Sequence, residues 1–143
     1  MRVVIQVVAI MMTLLATTAH GAIHCAGKAI AAPADGFRRG INQLRFIEQN
    51  GGISGPGGSL DPAMGLEPNT CGEVYCFYST SIRWCNDDQK HYKAMLYQHI
   101  REGAQDIYHK CLTKYKGKDV SGGVIDHNDN WSVIVQEDDR CKH

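Results

Sequence analysis

Six cysteines constrain this chain more than any other feature. Cys25, Cys71, Cys76, Cys85, Cys111 and Cys141 form an even set within 143 residues. An even count in a small exported chain reads as a framework of three disulfides. Six cysteines allow many pairings, and spacing alone does not choose among them. A structural zinc site calls for two close ligand pairs. Cys71 and Cys76 are close, but no matching second pair follows them, so neither a metal nor another cofactor is expected.

Disulfides need an oxidising compartment, and the N-terminus supplies the route to one. Arg2 is followed by a run from Val3 to Leu15 that is apolar except for Gln6 and Thr13, and then by Ala19-His20-Gly21. Positive charge, a short apolar core and a small-x-small site form the pattern of a secretory signal. Residues 1–21 are therefore expected to be cleaved before Ala22, and 22–143 to form one disulfide-stabilised domain outside the cell. The apolar run is shorter than the roughly 20 residues that span a bilayer. No second such run exists, so stable membrane insertion is not expected.

Charge narrows the partners. The whole chain carries 15 basic and 15 acidic residues. Removal of Arg2 leaves the mature chain one charge short of neutral. Nucleic-acid binding needs a strong basic field, so no nucleic-acid partner is expected. A cationic membrane-lytic peptide is excluded on the same ground. About 120 residues can bury a real core, so the disulfides reinforce packing rather than replace it.

The residue pattern predicts an order of elements. Ile23 to Ile30 reads as a first strand, ended by Pro33. Asp35 reads as an N-cap, and Phe37, Ile41, Leu44 and Glu48 share one stripe, which predicts a helix over 36–49 stopped by Asn50-Gly51-Gly52. Residues 50–70 are punctuated by glycine and proline and read as a flexible surface loop. Glu73 to Tyr78 and Ile82 to Cys85 predict a hairpin turned at Ser79-Thr80-Ser81. Spacings of three and four from Tyr92 through Met95, Leu96, His99, Ile100, Gly103, Ala104 and Ile107 to Cys111 predict a second helix over 88–112. That helix is expected to start at Asn86-Asp87-Asp88 and to fade through Lys114 to Lys118. Cys111 lies on its buried stripe, where a bridge would pin the helix to a sheet. Val124-Ile125 and Trp131 to Val135 read as closing strands around the polar turn 126–130, and Cys141 fastens the end. The fold class expected is α+β: a two-layer sandwich, a mainly antiparallel sheet with two helices on one face.

Chemistry is harder to read than fold. His127 beside Asp126 and Asp129 is the best local candidate for a general base, and His99 is the second. Each is better explained structurally, His127 as part of a polar turn and His99 as a half-buried helix residue, so no catalytic residue is assigned. Asp126, Asn128 and Asp129 offer oxygen ligands but lack the spacing and terminal Glu of an EF-hand loop. Phosphate-loop, zinc-protease and serine-hydrolase motifs do not occur. Asn130-Trp131-Ser132 is formally a glycosylation sequon. Lys110, Lys114, Lys116 and Lys118 form a candidate binding patch at the end of the second helix, where cations also complement the helix dipole.

Two stretches carry a resemblance. The run from Cys71 through Glu73-Val-Tyr-Cys-Phe-Tyr to Arg83-Trp-Cys-Asn-Asp, and the ending Asp126-His-Asn-Asp-Asn-Trp-Ser-Val-Ile-Val before a last cysteine, resemble small secreted cysteine-rich proteins of filamentous fungi. The likeness implies an effector-type protein without an assigned activity. Element order and Gly117-Lys-Asp-Val-Ser-Gly-Gly are more loosely similar to fungal killer toxins with an α/β sandwich. This chain has fewer cysteines than those toxins and a long Gly-Pro loop. The expectation is a non-enzymatic interaction protein that acts outside the producing cell on a host or competitor component. A killer-type growth inhibitor or channel blocker is the alternative, and a small ribonuclease-like hydrolase using His127 or His99 is the second.

Overall fold

The computed structural model describes residues 21–143. The expected signal segment therefore lies outside the described residues except for Gly21. Strand β1 is Ala22–Cys25, shorter than the predicted strand, because a single 3-10 turn takes over at Lys28–Ile30. Strand β2 is Ala32–Pro33 and runs straight into helix α1, Ala34–Gln49.

Helix α1 forms where its stripe predicts. Phe37 and Leu44 are fully buried, and Ile41 and Ile47 nearly so. The N-cap is Pro33, not Asp35. Ala32 is buried and Pro33 pairs with Val120, which fixes the chain before the helix begins. Asp35 instead sits in the first turn and accepts from Arg39 Nε at 3.0 Å. A carboxylate there suits the positive end of the helix dipole. At the other end Gly51 and Gly52 take positive φ and donate back to Glu48 and Ile47, as the glycine stop requires.

Residues 50–70 are more ordered in pattern than a loop. They contain β3, Ile53–Ser54, paired with β4, Leu60–Asp61, and then β5, Ala63–Leu66. Strand β6 is Thr70–Phe77 and β7 is Thr80–Asn86. The predicted hairpin is present, but its turn is Tyr78-Ser79. A partner for β5 then appears where helix was expected: β8, Lys93–Leu96, pairs with β5 residue for residue.

That pairing shortens the second helix. Helix α2 is Tyr97–Cys111, nine residues later in its start than predicted from position 88. Asn86 does not cap it. Its amide lies buried and donates to the carbonyls of Leu66, Glu67 and His91, which ties the β5–β6 and β7–β8 connections together. Ile100, Gly103, Ala104, Ile107 and Cys111 are the buried stripe. Tyr92 and His99, which share its spacing, are exposed.

The helix ends at Cys111 rather than fading toward residue 118. Strands β9, Thr113–Tyr115, and β10, Lys118–Ser121, form a hairpin instead, closed by Lys116 and Gly117 at positive φ. Strands β11, Gly123–His127, and β12, Trp131–Glu137, complete the chain before a 3-10 turn at Asp139–Cys141.

The main sheet has the order β1-β11-β12-β7-β6, and every neighbouring pair is antiparallel. A smaller sheet, β2-β10-β9, leans on α1. Trp84, Ile82, Val133, Val135 and Ile125 point from the main sheet into one core with Phe37, Leu44, Ile100 and Ile107 from the helices. The α+β architecture with both helices on one face is therefore as expected. All six cysteines are paired, Cys25–Cys111, Cys71–Cys85 and Cys76–Cys141. The first pins α2 to edge strand β1. The second crosses between register partners of β6 and β7. The third ties β6 to the C-terminal turn. Such density in a small domain is typical of extracellular proteins.

Candidate functional site

The lysine patch is divided by the fold. Lys110 lies on α2, while Lys114, Lys116 and Lys118 lie on the β9–β10 hairpin. Only Lys110 can therefore serve the helix dipole. The three hairpin lysines line a hollow of about 590 Å³ with Arg38, Asp35 and Glu137. One of the three has a carboxylate partner. Lys114 Nζ is 2.8 Å from Asp119, and Lys116 Nζ lies 5.3 Å over the ring of Tyr115.

The two histidines behave differently. Successive strand residues point to opposite faces. Asp126 therefore turns away from His127 and meets His24 at 3.3 Å on the outer face. Asp129 gives its backbone carbonyl to Lys93 Nζ at 2.7 Å. The sequence neighbours of His127 are thus not its partners. Its ring stacks instead on Trp131, its register partner, at 3.6 Å and 4°. Nδ1 lies 3.3 Å from the Trp131 carbonyl, which only accepts, so Nδ1 carries the proton. Burial pushes the imidazole below its ordinary pKa, against the weaker opposite pull of the Trp131 carbonyl and nearby aspartates.

His99 lines the same cleft of about 330 Å³ from the helix side, with Glu102, Asp106 and Trp131. Its Nδ1 is 3.1 Å from Glu102 Oε1. Sequence reading placed His99 on the helix stripe as a half-buried residue, and the fold leaves it half exposed at the cleft mouth. The cleft joins an imidazole whose pKa burial lowers to one 3.1 Å from a carboxylate. That pairing can exchange protons with a bound group.

A second hollow went unnoticed in the sequence. It measures about 600 Å³ and lies between α1 and the end of the β6–β7 hairpin, lined by Arg39, Asn42, Gln43, Phe46, Tyr75, Phe77 and Tyr78. Strand β6 is the sheet edge, and its last residues cross under α1. Phe46 is 60% exposed, Phe77 51% and Tyr78 49%, while Tyr75 is buried beneath them. Tyr75 and Phe77 meet edge to face at 5.5 Å. The Arg39 guanidinium sits 4.4 Å over the Tyr78 ring and donates to Asp35.

The turn that presents these rings is held in an unfavourable conformation. Tyr78 and Ser79 have φ of 51° and 59°. Two-residue hairpins of this type favour Asn-Gly, and a bulky residue in the left-handed region costs about 1–3 kcal/mol. Surrounding bonds impose the geometry. Tyr78 N donates to the His143 carbonyl, Ser79 N to the Cys141 carbonyl, and Asp138 N to the Ser79 carbonyl. Thr80 Oγ1 adds a bond to the Tyr78 carbonyl at 3.1 Å. The Cys76–Cys141 bridge anchors the tail that makes these contacts.

Two signals in the sequence point to this hollow. Phe46 falls off the stripe that Phe37, Ile41 and Leu44 define, so an aromatic ring stands on the polar face of α1. Phe77-Tyr78 places adjacent rings where a turn needs glycine or asparagine. Neither signal says that the two elements meet. Comparison with protein-family models, with curated proteins and with solved structures returned no match.

Proposed function

We propose that this is a secreted, non-enzymatic interaction protein that acts outside the producing cell on a host or competitor component. The observation that carries the reading is the aromatic hollow. Three rings about half exposed, gathered from α1 and from the end of the β6–β7 hairpin with its strained turn, form an apolar patch that a monomer has no folding reason to leave open. The disulfide density and the N-terminal residue pattern support export. The resemblance to effector-type proteins and killer toxins supports an external target, and growth inhibition is one form such an action takes.

Labelled protein applied to intact plant and fungal cells tests this reading. The expected outcome is saturable surface binding that Phe77→Ala reduces, with growth inhibition scored on the same cells. Absence of surface binding across the panel would sink it.

One observation favours a second reading. His99 and His127 line one cleft, which suits a small hydrolase such as a ribonuclease, with His127 as proton acceptor and His99 as donor. Hydrolysis of RNA by the purified protein that both His99→Ala and His127→Ala abolish would establish it. Retention of that hydrolysis in both variants would remove it.

A further inference from the structure

We infer that the hollow between α1 and the β6–β7 turn binds neutral, hydroxyl-rich oligosaccharide. This names the ligand class of the interaction site proposed above and rests on that reading.

A pyranose ring presents a flat face of C–H groups and a rim of hydroxyls. It needs an exposed apolar plane with neutral hydrogen-bonding groups beside it. Phe46 and Phe77 supply water-exposed ring faces. Asn42 and Gln43, on the adjoining turn of α1, supply amides that both donate and accept. Asn42 Oδ1 accepts from Arg45 at 3.4 Å, which leaves its two N–H donors free for hydroxyl oxygens. The volume of about 600 Å³ falls in the usual range of small-ligand clefts.

Charge decides against the other classes. Arg39 is the one cation in the lining, and its guanidinium is already engaged, 3.0 Å from Asp35, which also meets Arg38 at 3.5 Å, and 4.4 Å over the Tyr78 ring. An anionic ligand meets one already engaged guanidinium there, not a row of cations. Single-stranded nucleic acid also stacks on aromatic rings, but it needs a positively charged groove alongside. An apolar peptide anchor needs an enclosed, fully desolvated pocket. Here Phe46, Phe77 and Tyr78 keep about half their surface in water. Partial exposure suits a ligand that is itself half polar. The Tyr78-Ser79 turn, held by backbone bonds to the C-terminal tail, sets Tyr78 in place before any ligand arrives, which lowers the entropy lost on binding.

Calorimetric titration of the secreted, oxidised protein is the test. The neutral probes are chitohexaose, cellohexaose, laminarihexaose and xylohexaose. Oligogalacturonate and an RNA hexamer are the anionic probes. At least one neutral probe should bind saturably, and Phe46→Ala and Phe77→Ala should each weaken it by roughly tenfold or more. Both side chains are more than half exposed, so both variants should keep the wild-type melting temperature. If Phe46→Ala fails to fold, Gln43→Ala reads the same hollow through its amide. Three results would each overturn the inference: no neutral probe binds, an anionic probe is preferred, or neutral binding survives both aromatic substitutions. Phe77-dependent binding to cells without binding to any sugar would end the oligosaccharide assignment alone. Absence of both would end the interaction reading as well.

Discussion

Helices α1 and α2 cover the same face of one sheet, yet the hollows they open at its two ends differ in kind. At the β6 edge, α1 frames exposed aromatic rings, amides and a single arginine paired with Asp35. Toward β11, α2 frames two histidines with Glu102 and Asp106. The restraints differ too. Helix α2 is bridged to β1 by Cys25–Cys111. Helix α1 carries no cysteine and is held by packing, by close glycine contacts and by an ion pair to α2. The α1 wall of the aromatic hollow therefore depends on fit, with Cys76–Cys141 anchoring only its turn, whereas the α2 wall of the histidine cleft has a covalent staple behind it.

Removing the staple should give the largest effect. Under the chain-entropy account, replacing Cys25 and Cys111 with Ser costs about 4–5 kcal/mol, and replacing Cys71 and Cys85 costs about 3 kcal/mol. The bridged residues are 86 and 14 apart in sequence, which sets that order. Urea unfolding of the two double variants measures it. A reversed order would mean that native contacts at β6–β7, not the unfolded chain, dominate.

Glycine substitutions test the packing side. A Cβ at Gly36 would lie 2.5 Å from the Tyr78 carbonyl oxygen, which is backbone and cannot swing aside. Gly36→Ala should cost about 1–3 kcal/mol and weaken ligand binding at the aromatic hollow. On α2, a Cβ at Gly103 would lie 3.0 Å from Val133 Cγ2 and 3.3 Å from Ile125 Cγ2. The helix-propensity gain of about 1 kcal/mol offsets that crowding, so Gly103→Ala should be close to neutral. Equal losses at both positions would erase the contrast between the helices.

The joint between them comes next. Arg101 donates to both oxygens of Glu48, at 2.6 Å from Nε and 3.2 Å from Nη2, in a partly buried setting. Arg101→Ala should cost about 1–2 kcal/mol by thermal or urea unfolding at neutral pH. Hydrogen bonds from Arg101 hold the Glu48 carboxyl below the ordinary carboxylate range, opposed by burial. A depressed carboxyl pKa contributes stability above the unfolded value and loses it as pH falls through the folded one. The gap between wild type and Arg101→Ala should accordingly narrow below about pH 4.

The smallest effect is expected at His127. Its folded pKa is depressed by burial, so the folded chain binds fewer protons than the unfolded one. Stability should fall as pH drops below about 6.5, the unfolded value, toward the folded pKa. His127→Gln should flatten that part of the profile in thermal melts. An unchanged slope would show that the imidazole is solvated and the cleft is not its burial site.

Much of the fold was legible because local patterns agreed with tertiary context. The stripe of α1 and the residue patterns of β6, β7, β11 and β12 each predicted an element that is observed. The failures share one cause. Residues 92–99 continue a helical spacing, but Lys93–Leu96 pair with Ala63–Leu66, a segment too rich in glycine and proline to read as a strand. Lys114 to Lys118 read as the fading end of the second helix, yet the Lys116-Gly117 turn folds them into a hairpin. Of the site residues, the sequence points to His99 and His127, the latter beside Asp126 and Asp129. Strand alternation sends Asp126 to the other face.

The sequence by itself determined the six cysteines and their number of bridges, the near-neutral charge, and an α+β core with two amphipathic helices. Those are properties of composition and short-range periodicity, and they need no knowledge of distant neighbours. Only the tertiary structure decided which cysteines pair, that His99 and His127 share a cleft, and that Phe46 meets Phe77 and Tyr78 beside two amides. Each depends on contacts between residues far apart in the chain, which no local period encodes. The bridges show the difference most directly. Their count follows from the sequence, while their partners follow from which strands and helices the core brings together.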